Sequence, residues 1–331
     1  MPMRAPRWHR CCAGRASEMS VAIYTHDACL AHDTGTGHPE SSARLAAVLE
    51  ALDDARFASL RRIVAPAATR EQLARVHTAD LIDAVLDEPV ASGWRRLDPD
   101  TVMSPASAEA ALRAAGAVCA AVDAAMTGAH ARAFCAVRPP GHHATRDTPM
   151  GFCLFNSVAA GAAHAIAAHG LSRVAVVDFD VHHGNGTQDI FWSDPRVLYA
   201  SSHQSPLYPG TGARAETGAG NIVNAPLRPG AGSAEFRAAY EDAVLPAIDR
   251  FAPELVLISA GFDAHRLDPR VDGTLRSSRS SPARRRIRSA RHALRPRPPR
   301  AAERNVVGRV VGRGAGCRDR RRRRARGRRR C

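Results

Sequence analysis

The sequence predicts an α/β domain, a single unit with a mostly parallel central sheet flanked by helices, and three observations carry that expectation. Short β-branched or apolar runs of buried-strand length recur along the chain. Longer stretches of helical length lie between them. Polar clusters directly follow three of the runs, which is where open α/β sheets gather their sites.

Val21 to Tyr24 is the first expected strand, and Ser41 to Leu52 the first expected helix. Ser104 followed by Pro105 reads as an N-cap with proline at N1, opening a long Ala-rich helix from Ala106 to about Met126. Phe134 to Val137, Val174 to Val177, Val197 to Ala200 and Leu255 to Ser259 have the length of buried strands. Helical stretches fall near Val158 to Ala168 and over Ala234 to Phe251, the latter kinked or broken at Pro246.

Charge divides the chain. The 331 residues carry a formal net charge of +15, and since there is no lysine, all 47 basic residues are arginine. Residues 271–331 hold 23 of them against three acids, so this segment is strongly basic and the remainder is mildly acidic. Averaging the two into one basic protein would wrongly suggest a nucleic-acid binder. Arg270 to Cys331 shows no apolar period and no aromatic residue, and is expected to be disordered, either a nucleic-acid tail or non-native, frame-shifted sequence. The second reading fits a chain whose exclusive use of arginine suggests GC-rich codons. Residues 1–18 carry four arginines without an apolar core, which argues against a secretory signal; between an organellar presequence, normally richer in serine, and an extension ahead of a start at Met19, the second is preferred. The expected domain is therefore 19–269. Eight cysteines without a C-x-x-C pair point to reduced thiols in the cytoplasm, and no uninterrupted apolar stretch suggests a membrane span.

Four polar clusters carry the chemistry. Arg138-Pro139-Pro140-Gly141-His142-His143-Ala144 follows the second expected strand, Phe134 to Val137, with Gly151-Phe152-Cys153-Leu154-Phe155-Asn156 close behind. Asp178-Phe179-Asp180-Val181-His182-His183-Gly184-Asn185-Gly186 and Gly261-Phe262-Asp263-Ala264-His265 follow two others. An Asp-x-His pair on extended chain projects both side chains to one side, so Asp180 and His182 can grip one ion, with Asp263 as a third ligand and a position left open for water. An isolated Asp-x-His is as readily a hydrogen-bonded pair, and it is the company of the other clusters that favours a metal.

These strings, in this order and spacing, resemble the histone deacetylase superfamily, and the Asn of HHGNG resembles its class II-like bacterial branch, which includes acetylpolyamine amidohydrolases. The resemblance runs from about Met19 to Pro269. It implies an arginase/deacetylase-like fold and a zinc-dependent amide hydrolase acting on acetyl-lysine, in a protein or a small acetylated amine. It implies Asp180, His182 and Asp263 as zinc ligands, His142 and His143 as tandem histidines beside the attacking water, Asp178 orienting His142, and Asn185 behind His143. Asp178, Asp180, His182 and Ser201 match a structural potassium site. Phe152 and Tyr208 match the walls of an acyl-lysine tunnel, with Gly151 offering a backbone contact; plain core packing is the competing reading for both aromatics. Proton transfer at neutral pH suits an imidazole, and His143 is assigned as base and acid with His142 as electrostatic support.

One family feature is absent. Active members carry, after the GFD motif, a glycine-rich loop ending in a tyrosine that stabilises the oxyanion, whereas the last tyrosine here is Tyr240. The resemblance thus implies that the C-terminal part of the domain, its last strands and helices, is missing, and impaired activity is the expectation. Two alternatives stand beside it: a manganese ureohydrolase, whose second bridging aspartate would fall at Gly184, and an inactive relative acting on nucleic acid through its arginine tail.

Overall fold

The computed structural model describes residues 21–265 and the backbone of residues 305–312. β1 (Val21–Thr25) leads through one helical turn, α1 (Ala28–Ala31), to α2 (Ser42–Leu52), β2 (Arg61–Val64), α3 (Arg70–Ala74) and α4 (Ala79–Leu86). A small antiparallel ribbon of β3 (Arg95–Arg96) and β4 (Val102–Met103) precedes α5 (Ser107–Thr127). Then come β5 (Arg132–Cys135), α6 (Ser157–His169), β6 (Val174–Asp178), α7 (Asn185–Phe191), β7 (Val197–Gln204) and β8 (Ile222–Leu227). α8 (Ser233–Ala239), a π-helical turn (Tyr240–Val244), α9 (Leu245–Phe251), β9 (Leu255–Gly261) and β10 (Asn305–Gly312) complete the described chain.

Eight strands form one sheet in the order β2-β1-β5-β10-β9-β6-β7-β8. The pairs β1–β2, β1–β5, β6–β7, β6–β9 and β7–β8 are parallel. Helices cover both faces, so the strands alternate between two cores rather than between core and water. In β6, Val174 and Val176 pack with Val118 of α5 and Val158 of α6, while Ala175 and Val177 pack on the opposite side with Ala247 and Val244. α5 is long and apolar enough to cross a membrane by composition, yet Ala110, Ala114, Ala117, Val118 and Ala121 are buried in the protein core. The described cysteines, Cys29, Cys119, Cys135 and Cys153, are free and buried.

Two expectations are corrected and one is borne out. Ser104 does not cap α5; Ala106 holds that position without a side-chain bond, and Ser104 instead accepts a hydrogen bond from the Asp33 amide at 3.0 Å and meets Ser107 Oγ at 3.1 Å. The break expected at Pro246 in the helix over Ala234 to Phe251 is present as a π-helical turn just ahead of that proline, where the Leu245 amide reaches back to the Tyr240 carbonyl. Pro246, just inside α9, has no amide hydrogen to give to the preceding turn, which accounts for the widened geometry. Finally, Asn305–Gly312 lies in the sheet, antiparallel to both β5 and β9, although 270–331 was expected to be unstructured. Its four valines are strong strand formers, and the strand occupies a central place that backbone pairing would otherwise leave open. The rest of 270–331, and the extension 1–18, lie outside the described residues.

Candidate active site

The parallel strands end at a common edge, and the functional side chains emerge there. Asp178 closes β6, in register with Ser201 of β7 and Ser259 of β9. Beyond it the chain turns so that Asp180 and His182 face Asp263, which comes from just beyond β9. His182 Nδ1 lies 3.0 Å from Asp180 Oδ1 and 3.0 Å from Asp263 Oδ2, and one ligand atom from each of the three residues falls within 4.8 Å of the others. Backbone donors fix the carboxylates: the Val181 amide donates to Asp263 Oδ1 at 3.0 Å and the His182 amide to Asp180 Oδ1 at 2.8 Å. Burial disfavours every charge here, but the neighbours decide the outcome. His142 and His182 hold Asp180 far below the carboxylate range, the two carboxylates hold His182 at about 10, and burial together with Asp180 raises Asp263. One imidazole nitrogen and two buried carboxylates, converging on a cavity, form a donor set that fits a zinc ion with an open position.

The tandem histidines stand over this cluster with different second partners. His142 Nδ1 is 3.0 Å from Asp178 Oδ2, and His143 Nδ1 is 2.8 Å from Asn185 Oδ1, as the sequence suggests. The rings lie 4.0 Å apart. Burial opposes a charge on either ring; for His142 the carboxylates of Asp178 and Asp180 outweigh it and hold its pKa at about 9, while burial and the neighbouring His142 push His143 well below the usual imidazole range. The surroundings therefore favour the charged form of His142 and the neutral form of His143. Asp178 is itself braced, accepting from the Asp180 amide at 3.1 Å and from the Tyr199 hydroxyl at 3.3 Å. Gly184 passes against this brace. A Cβ there would lie 2.5 Å from both Asp178 Oδ2 and the Tyr199 hydroxyl, so the aspartate that a two-manganese ureohydrolase site requires has no room at this position.

The cluster floors a cavity of about 230 Å³ whose lining includes Gly151, Phe152 and Tyr208 together with Arg44 and Asp100. Gly151 and Phe152 both adopt positive φ, +57° and +69°. At Gly151 a Cβ would come within 2.5 Å of the His143 ring, so the absent side chain lets the backbone approach the histidine. Phe152 tolerates a conformation that L residues avoid, with its amide held by Thr101 Oγ1 at 2.9 Å. Tyr208, 40 % exposed, sets its ring edge-on to His143 at 5.2 Å. Both aromatics thus line the cavity rather than the core. Ser201 is buried beside Asp178, but its hydroxyl pairs with His203 Nδ1 at 2.9 Å. Arg44, Asp100, Thr101, Tyr199 and Met150, which contacts Asn185 Nδ2, lie outside the four motifs, and no spacing in the sequence marks them. Of the four tyrosines only Tyr208 lines the cavity; Tyr24 and Tyr199 are buried, and Tyr240 points its hydroxyl toward Ser202 at 3.5 Å.

Comparison with known proteins agrees with this geometry. Residues 38–296 match the histone deacetylase domain. The chain is 38 % identical over 268 residues to the chloroplastic histone deacetylase 14 of Arabidopsis thaliana, covering 75 % of this chain and 63 % of that protein. It is 40 % identical over 239 residues to a histone deacetylase-like amidohydrolase of Pseudomonas aeruginosa, covering 70 % and 61 %. The solved HD domain of HDA15 superposes with a TM-score of 0.74 at 38 % identity, covering 77 % of this chain and 75 % of that one. The four motifs, the sheet that presents them and the match over most of the chain place this protein in the histone deacetylase domain family.

Proposed function

We propose that the chain is built as a zinc-dependent amide hydrolase that removes acetyl groups from acetyl-lysine or a related acetylated amine, and that it is impaired by the lack of the oxyanion tyrosine. The observation that carries this reading is the convergence of Asp180, His182 and Asp263 below a histidine pair whose Nδ1 atoms are separately engaged by Asp178 and Asn185. A zinc ion held by the three ligands would polarise the amide carbonyl and ease deprotonation of the attacking water. The remaining work falls to this chain's own residues. Asn185 Oδ1 accepts the Nδ1 proton of His143, which leaves Nε2 of a neutral ring free to take the water's proton and later give it to the departing amine. His142, kept cationic by Asp178, offers a fixed positive charge beside developing negative charge. Phe152 and Tyr208 would flank an extended aliphatic chain, and Arg44 and Asp100 add polar groups to the cavity wall. A potassium ion at Asp178, Asp180, His182 and Ser201 belongs to the same proposal, since carboxylate and hydroxyl oxygens, and at His182 the backbone carbonyl, suit a hard cation.

Metal analysis tests the reading. Purified protein should bind one zinc in the cavity, and Asp263→Asn should lose it. Retention of the same zinc content by that variant would overturn the assignment.

A further inference from the structure

We propose that Asp123, His164 and His169 form a second divalent-metal site, joining the end of α5 to the end of α6 and separate from the cavity. Asp123 Oδ1 lies 2.7 Å from His164 Nε2 and 2.7 Å from His169 Nε2, so two imidazoles converge on one carboxylate oxygen. The two rings stand 5.8 Å apart and nearly perpendicular. α6 begins beside the active-site loop at Ser157, and at about 1.5 Å per residue His164 and His169 lie roughly 10 and 18 Å along it, well removed from Asp180. The sequence conceals the group, because a spacing of five residues does not bring two side chains to one face of an ideal helix. Asp123, from the neighbouring helix, closes the gap.

The donors select the ligand. Two imidazoles and one carboxylate, completed by water, are a set that suits Zn²⁺, Co²⁺, Ni²⁺ or Cu²⁺ rather than Mg²⁺ or Ca²⁺. His164 is buried, but Asp123 is about half exposed and His169 about one-fifth exposed, so an ion has access from solvent and the carboxylate has room to adjust to metal–ligand distances. One neighbour opposes binding. Arg75 Nη1 lies 2.8 Å from His164 Nδ1, and its guanidinium, which cannot accept a hydrogen bond, requires that nitrogen to be the acceptor. Coordination through Nε2 requires Nδ1 to carry the proton instead. Arg75 must then release His164, keeping its ion pair to Glu71 at 2.8 Å. Arg75 therefore sets the affinity of the site: it adds a repelling charge and favours the wrong tautomer. Replacing it by glutamine removes the charge and offers a carbonyl to accept from Nδ1–H, the kind of outer partner that changes metal affinity by about 10- to 100-fold.

The test is equilibrium dialysis of the full chain against Co²⁺ with metal analysis, in the unaltered protein and in His169→Ala, Arg75→Gln and Asp263→Asn. His169→Ala should bind one Co²⁺ fewer than the unaltered chain, and Arg75→Gln should bind that ion about tenfold more tightly. Asp263→Asn reports only on the cavity, so a failure there leaves this comparison intact. Thermal melting supplies a second readout: Co²⁺ should raise the midpoint of the unaltered chain more than that of His169→Ala. Equal cobalt content in the unaltered chain and His169→Ala, or no tightening by Arg75→Gln, would overturn the proposal.

Discussion

His77 shows how a residue outside every motif holds the site together. It is buried, and its Nε2 accepts from the Asn156 amide at 2.9 Å while its Nδ1 meets the Thr145 carbonyl at 2.9 Å. The backbone partners fix the tautomer: Nδ1 carries the proton and Nε2 is bare. Asn156 in turn caps α6 by accepting from the Ala159 amide, and its Nδ2 donates to the Ala144 carbonyl, so His77 and Asn156 together brace the loop that carries His142 and His143. Protonating Nε2 would set a donor against a donor. Burial lowers the His77 pKa to about 4, against 6.5 for an ordinary imidazole. The folded state therefore favours the neutral ring. Stability from this residue is fully present above pH 6.5 and is lost as pH falls toward about 4, because the unfolded chain takes up the proton first. At about 1.4 kcal/mol per pH unit, the interval is worth about 3 kcal/mol. Chemical denaturation of the unaltered chain and His77→Gln should show a stability gap that narrows by about that amount between pH 7.5 and pH 4; a gap independent of pH would sink the argument. Nothing in the sequence marks His77 for this work, since its partners are backbone groups 68 and 79 residues away. The clustering of Asp180, His182 and Asp263 below the tandem histidines, by contrast, is legible, because these residues sit in contiguous strings at strand ends.

At the scale of elements, strands buried on both faces were the legible ones. β6, β7 and β9 appear where continuous apolar runs place them, each extended by one to four residues. The edge strands were not legible: β2 opens with two arginines, and β8 contains Asn224 and Pro226, residues that an edge tolerates and a propensity reading discounts. β10 was hidden differently, as a valine-rich octet inside an arginine-rich segment. Its consequence can be measured by comparing chains that end at Gly312 and at Arg304. The longer should keep β5 and β9 paired through β10; the shorter leaves two strand edges open in the middle of the sheet and should aggregate and unfold at lower denaturant. Light scattering and urea titration check this, and equal behaviour of the two chains would show that β10 contributes nothing to the sheet.

For the whole molecule, the direction of that strand bears on catalysis. The site lies at the carboxyl edge of the parallel strands, where Gly261 ends β9. β10 runs the other way: Asn305 pairs with Gly261 and Gly312 with Leu255, so its amino end faces the site and chain leaving Gly312 emerges at the opposite edge. A loop following this strand does not begin beside the cavity. Tyr208, the one tyrosine lining the cavity, packs edge-on against His143 and serves as wall, leaving no phenol in the role the family assigns to its loop tyrosine. The pairs His142–Asp178 and His143–Asn185 are in place, so under the proposed mechanism the loss should be confined to stabilising the oxyanion. Loss of one such donor costs about 10²–10³ in rate, or about 3 to 4 kcal/mol. We expect this chain to hydrolyse an acetyl-lysine reporter at least about a hundredfold more slowly than a version whose reading frame downstream of residue 270 is restored, both at saturating zinc. Because the metal ligands lie upstream of that point, both should bind the cavity zinc alike, which separates a missing hydroxyl from a collapsed site. Comparable turnover by the two chains would mean that another group stabilises the oxyanion, and the Arg44 guanidinium in the cavity wall is then the first side chain to replace.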